Sequence, residues 1–291
     1  MPEQPSAAEG FGARLAALIA ERGQLCVGID PHPALLQTWD LPDTARGARD
    51  FSLRILEAST GLVPAVKPQV ALFERFGSAG FLVLEELLGA ARDAGVLSVA
   101  DAKRGDIGST MAAYALAWLD DESTLAADAV TLSPYLGFES LRPALDLAAA
   151  QGRGVFVLGL TSNPEGAAVQ HAGGSTAGES VAARIVAAAT AENRAEMARS
   201  GTALGSTGLV IGATVGTAVR DLGLDLTAVR GPILAPGLGA QGATGADLRA
   251  LFGTAFDQVL ATSSRGIGMA GPDLTELRKA ILAATADLRG A

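Results

Sequence analysis

Short apolar runs rich in Val, Ile and Leu recur along the chain at Gln24–Ile29, Val63–Lys67, Leu97–Asp101, Ala129–Leu132, Val155–Leu160, Leu209–Ile211, Pro232–Ala235 and Gln258–Ala261. Between them, apolar positions return every three or four residues, the spacing of a helix with one buried face. Runs that are apolar on both faces suit a parallel sheet covered by helices, because each strand must then bury both of its sides. Eight strands alternating with helices over about 250 residues predict a closed (β/α)8 TIM barrel, with an open doubly wound sheet as the main competitor. Phe11, Leu15, Leu18 and Ile19 share a helical face ahead of the first strand and predict an N-terminal helix capping the bottom of the barrel. Leu274, Leu277, Ile281 and Leu288 do the same for a closing helix. Glycines and prolines gather at strand ends and turns, and no linker-like run divides the chain, so residues 1–291 are expected to form one barrel domain.

Composition narrows the function. The 22 basic and 31 acidic side chains give a formal charge of -9, with no Lys/Arg cluster to neutralise phosphates, so nucleic acid is excluded as an expected partner. One cysteine, Cys26, and two histidines, His32 and His171, form a poor supply of zinc ligands, and a lone cysteine forms no internal disulfide. The chain shows no signal-peptide pattern and no apolar stretch of about 18 residues. A cytoplasmic location without a membrane segment is the expectation.

In a barrel of this kind the working end lies where the strands finish. Strand one ends in Asp30, strand two in Lys67, and strand three in Asp101-Ala102-Lys103-Arg104-Gly105-Asp106-Ile107-Gly108. Asp101 and Lys103 are two apart, so an extended segment points both to one side, and Gly105 is read as the residue that lets the chain turn before Asp106. Opposite charges about 4 Å apart at an effective dielectric of about 20 attract by roughly 4 kcal/mol, enough to keep a lysine protonated. Such a lysine is an acid or an electrostatic clamp, not a nucleophile. The same spacing also fits charges that merely solvate a loop, and pattern alone leaves both readings open.

The last two strands are followed by Pro236-Gly237-Leu238-Gly239-Ala240-Gln241-Gly242 and by Ser264-Arg265-Gly266-Ile267-Gly268. Glycine-exposed amides with an arginine at these two loops suit a phosphate, which Arg265 could grip and Gln241 could cover. Thr161-Ser162-Asn163-Pro164 after strand five offers groups for a polar ring edge or, equally, an ordinary turn. His32 reads as a solvated loop histidine, and Trp39, Trp118, Phe73 and Phe76 read as core.

Taken together, Gly28-Ile29-Asp30, Val66-Lys67-Pro68-Gln69, the Asp101 to Ile107 segment, Thr161-Ser162-Asn163-Pro164, Pro236 to Gly242 and Ser264-Arg265-Gly266 resemble the orotidine 5'-phosphate decarboxylase family, in its longer bacterial subgroup. The resemblance implies a cytoplasmic homodimer of pyrimidine biosynthesis that converts orotidine 5'-monophosphate to UMP and carbon dioxide with no cofactor and no metal. It implies Lys103 as proton donor to C6 of the pyrimidine and Asp101 beside the substrate carboxylate. Asp106, with Ile107 and Thr110, would reach the neighbouring subunit's site. Lys67 and Asp30 would bond the ribose hydroxyls, Ser162 the pyrimidine, and Gln241, Arg265 and Gly266 the phosphate. Longer segments around 35–49 and 166–178 set the chain apart from shorter members and leave Thr161 as an alternative to Ser162. The rival readings are an Mg2+-dependent sugar-phosphate decarboxylase of the same suprafamily, which Lys67 disfavours, a Schiff-base enzyme using Lys103, and a non-catalytic phosphate-ligand-binding barrel.

Overall fold

A computed structural model describes residues 10–173, 178–239 and 242–290. Eight strands, β1 (Leu25–Ile29), β2 (Ala65–Pro68), β3 (Leu97–Arg104), β4 (Ala129–Leu132), β5 (Gly154–Leu160), β6 (Thr207–Ile211), β7 (Ile233–Pro236) and β8 (Val259–Ser263), pair in chain order, all parallel, into a closed barrel. Closure comes from β1 against β8, with Leu25 opposite Ala261 and Val27 opposite Ser263. This is the (β/α)8 barrel that the alternation predicts, and among the described residues no helix is long and apolar enough to cross a membrane.

Strand residues alternate between two cores, as a period of two requires. Cys26, Ala65, Leu97, Val99, Ala129, Phe156, Val210, Leu234 and Leu260 meet inside the barrel. Their neighbours Leu25, Val27, Val66, Val155, Val157, Leu209, Ile211, Ile233, Val259 and Ala261 pack outward against the helices. The inner core ends at the bottom in the helix Phe11–Arg22, whose Phe11 and Leu15 are fully buried in it. Phe11 stands edge-on to Phe156 at a centroid distance of 5.9 Å, and it fits because Gly154 carries no Cβ to strike its ring. Arg14 pairs with Asp128 at 2.7 Å and locks the cap to the foot of β4. The closing helix Leu274–Arg289 buries Leu277, Ile281 and Leu288 as its spacing predicts.

Three local expectations need correction. β3 does not stop at Asp101: a bulge lets pairing resume with Arg104 opposite Leu132. Gly105 is not the turning residue. The left-handed φ falls on Lys103 (47°) and on Gly108 (54°), while Gly105 is required because a Cβ there would strike the Ser133 carbonyl. Phe76 is only half-buried and carries the Arg75 guanidinium 4.1 Å above its ring, whereas Trp39, Phe73 and Trp118 are core as expected.

Candidate active site

The inward alternation, continued one layer toward the strand ends, supplies the polar groups. Cys26 leads to Gly28 and Asp30, Ala65 to Lys67, Val99 to Asp101, Ala129 to Thr131, Leu234 to Pro236, and Leu260 to Thr262. Below this layer the barrel is apolar and filled. Above it the side chains of neighbouring strands converge, so charged residues here are forced to meet each other.

Asp101 is the centre. Its Oδ2 accepts from Lys67 Nζ at 2.7 Å and its Oδ1 accepts from Lys103 Nζ at 2.5 Å. The Thr131 hydroxyl also donates to Oδ1, at 3.0 Å, and Lys67 Nζ reaches Gln69 Oε1 at 3.3 Å. Lys67 and Asp101 are 6 % and 8 % exposed, whereas the Lys103 side chain is 45 % exposed at the mouth. Burial alone would raise the Asp101 carboxyl, but attraction and hydrogen bonds from the two ammonium groups hold it well below the usual carboxylate range. Burial likewise opposes charge on Lys67, and Asp101 with Asp30 overrides it and raises the amine above its ordinary value. Asp101 and Lys67 therefore stay ionised at neutral pH.

Asp30 lies near Lys67 without an ion-pair contact, and its Oδ1 is buried with no hydrogen-bond partner among the described residues. A buried acceptor without a donor is costly in a finished core and natural where a ligand hydroxyl completes it. It lines a cleft of about 430 Å3 together with Gly28, His32, Lys67, Pro236, Gly237, Leu238, Thr262, Ser264 and Arg265. His32 thus faces this cleft, beyond the plain loop position read for it. Gly28 is demanded by the cleft's own packing, since a Cβ there would sit 2.6 Å from the Ser264 Cβ.

Arg265 opens a one-turn helix after β8, exposed and with no ion pair or hydrogen bond from its guanidinium among the described residues. Gly266 beside it is exposed, and Gly237 (φ 129°) and Gly239 (φ 74°) bend the opposite rim. Gln241 lies outside the described residues. At the end of β5, Thr161 is already occupied, donating its hydroxyl to Asn163 Oδ1 at 2.6 Å and accepting from Gln170 Nε2 at 2.7 Å. Ser162 is exposed, with no such partner among the described residues.

Asp106 does not join the charged triad within the chain. Its Oδ1 accepts from the Ile107 amide at 2.7 Å, and Thr110 follows on the exposed first turn of the helix Gly108–Leu119. Ile107 is 61 % exposed, and the β4 end contributes Tyr135 at 78 % and Leu136 at 54 %. Sequence reasoning missed Thr131 and Thr262. Their hydrophobicity does not mark them as inward-facing, and the one signal for either is its place as a hydroxyl at or near the end of an apolar run.

The geometry agrees with what the chain is similar to. Residues 23–280 match the model of the orotidine 5'-phosphate decarboxylase / HUMPS family. The orotidine 5'-phosphate decarboxylase of Salinispora tropica is 53 % identical over 283 residues, covering 97 % of this chain and 98 % of the relative. That of Streptomyces coelicolor is 54 % identical over 273 residues, covering 94 % of each. A crystal structure assigned to orotidine 5'-phosphate decarboxylase from Streptomyces avermitilis superposes with a TM-score of 0.91 at 50 % identity, over 100 % of this chain and 99 % of that one. The OMP decarboxylase structure of Leishmania donovani gives 0.71 at 30 % identity, over 95 % and 98 %. A barrel whose strand ends gather Lys67, Asp101 and Lys103, matched along nearly its whole length, belongs to the orotidine 5'-phosphate decarboxylase / HUMPS family.

Proposed function

We propose that this chain decarboxylates orotidine 5'-monophosphate to UMP and carbon dioxide, as a cytoplasmic enzyme of pyrimidine biosynthesis. The observation that carries the reading is the buried carboxylate of Asp101 clamped between two ammonium groups at the strand ends, in a chain of this family. Loss of carbon dioxide from C6 leaves an electron pair in the plane of the ring with no adjacent carbonyl to delocalise it. A fixed cation at that carbon lowers the barrier directly, because its attraction grows as charge concentrates there. Lys103 supplies the cation and then the proton, leaving a C6–H bond and a neutral amine that solvent reprotonates. Asp101 faces the departing carboxylate and loses a repulsive neighbour as that group leaves as neutral gas, a smaller contribution than the developing attraction to Lys103.

The rest of the cleft binds and orients. The unpartnered Asp30 Oδ1 accepts a ribose hydroxyl, with Lys67 alongside. Arg265 and the Gly266 amide take the phosphate, a role in which Gln241 joins them. Ser162, not the already bonded Thr161, reads the pyrimidine edge. Phosphate contacts lie far from C6, so their binding energy can close the site and expel water around Lys103, whose exposure is what closure would remove.

The exposed Ile107, Tyr135 and Leu136 next to Asp106 and Thr110 favour a homodimer in which these residues complete the partner's site. A carboxylate already saturated by two ammonium groups is a poor ligand for Mg2+, which argues against the metal-dependent sugar-phosphate reading. Purified protein assayed in EDTA should consume orotidine 5'-monophosphate, followed by its absorbance, and release UMP. UMP binding without consumption would instead identify a silent binding barrel, loss of turnover in EDTA a metal-dependent enzyme, and borohydride trapping of substrate on Lys103 a Schiff base.

A further inference from the structure

One buried hydroxyl is left without a role in the reaction just described. Thr131 is fully buried on the inward face of β4, level with Asp101. Its Oγ1 accepts the Lys103 backbone N–H at 2.9 Å and donates to Asp101 Oδ1 at 3.0 Å. That same carboxylate oxygen receives Lys103 Nζ at 2.5 Å. The ammonium of Lys103 thus reaches this oxygen directly and its main chain reaches it through the Thr131 hydroxyl, in a closed circuit of three hydrogen bonds.

The circuit sits where the backbone is unfavourable. Lys103 has a φ of 47°, in the left-handed region that a residue with a Cβ rarely enters and that persists only where the surroundings impose it. The bulge of β3 occurs at the same place, between the pairings of Ala100 and Arg104 with β4. An inward residue on the adjacent strand that accepts the Lys103 amide is the partner that can hold this bend. A valine would fill the same space but offer neither bond, leaving the amide unsatisfied and Asp101 short of a donor.

We propose that Thr131 is a positioning residue for the reaction: its hydroxyl holds the left-handed turn at Lys103 and orients Asp101, so that the ammonium is aimed before substrate arrives. The proposal rests on the decarboxylase reading of the site. It is tested with Thr131→Val and Thr131→Ser, measuring kcat and KM for orotidine 5'-monophosphate, UMP affinity and thermal unfolding beside wild type. Thr131→Val should lower kcat by about 10- to 100-fold, the scale seen when outer hydrogen-bond partners of a working group are removed, with UMP affinity unchanged. Thr131→Ser, which keeps the hydroxyl, should restore kcat. Wild-type kcat in Thr131→Val overturns the proposal, as does a serine variant as slow as the valine one, or a parallel fall of kcat and UMP affinity. Should the valine variant not fold, Thr131→Ala against Thr131→Ser makes the same comparison. A wild-type protein that does not decarboxylate fails the functional reading itself, a result distinct from an active wild type that the valine variant equals.

Discussion

Asp101 is outnumbered: one carboxylate, 8 % exposed, holds two ammonium groups, one of them equally buried. Asp101→Asn removes the charge that keeps Lys67 ionised inside the barrel, and breaking a buried pair in this way costs about 3–5 kcal/mol, readable by denaturant unfolding. The pH dependence has a definite sign. Asp101 is depressed, so its contribution is complete above an ordinary carboxyl value of about 3.9 and fades as pH falls below it. Lys67 is raised, so its contribution is complete below about 10.4 and fades as pH rises beyond it. The pair's contribution to wild-type stability should therefore be constant from about pH 5 to pH 9 and fade below about pH 4. The buried Lys67 of Asp101→Asn, held down by burial without its main partner, instead sheds its proton as pH rises, so the gap between the two proteins should narrow toward about pH 10. A gap that stays constant up to about pH 10 would mean that Asp101 is not what keeps Lys67 charged. At the other rim, Arg265→Ala should weaken UMP by about 10- to 100-fold, the worth of a charged hydrogen bond, and leave uridine unaffected in a calorimetric titration. Most of these residues were legible because charged groups at the ends of apolar runs have nowhere else to go in a barrel. The backbone of Lys103 was not. A left-handed φ on a residue other than glycine leaves no mark in composition or spacing, so the pattern points to Gly105 for the turn, whereas that glycine is there to clear the Ser133 carbonyl.

The elements follow from the alternation of inward and outward residues, which explains both what the sequence analysis recovers and where it stops short. Phe156 and its neighbours Val155 and Val157 fall into different cores with no change in hydrophobicity, so the number and order of strands can be read, but not which face is which. β3 runs on to Arg104 because a bulge absorbs the irregularity, and a charged stretch gives no sign of resumed pairing. The cap Phe11–Arg22 is a case of the opposite kind, since its apolar face predicts its docking. Phe11→Ala should cost about 3–5 kcal/mol, the range for an emptied aromatic site, without changing KM for a substrate bound at the other end of the barrel. Unfolding curves that barely move would show that the cap is not part of the barrel's inner core.

For the whole molecule, the question is which parts of the site one chain contains. It carries the triad and the cleft, while Asp106 bonds to the Ile107 amide, lines no part of that cleft and is followed by the exposed Ile107 and Thr110. If two chains complete each other, mixing inactive Lys103→Ala and Asp106→Ala proteins should recover activity, because a mixed dimer holds one site with both residues intact. No recovery in demonstrated mixed dimers would confine the site to one chain. The interior offers its own reporter of integrity: burial pushes the Cys26 thiol up to about 12, so alkylation of the folded protein should proceed only as fast as the barrel opens. All of this turns on the Lys103 ammonium facing C6. The most direct test is turnover of orotidine 5'-monophosphate by Lys103→Ala, with UMP affinity measured on the same sample. The account predicts that UMP still binds while turnover falls below about a hundredth of wild type, the loss expected of a charge aimed at the transition state. Turnover above that level, with binding intact, would contradict it.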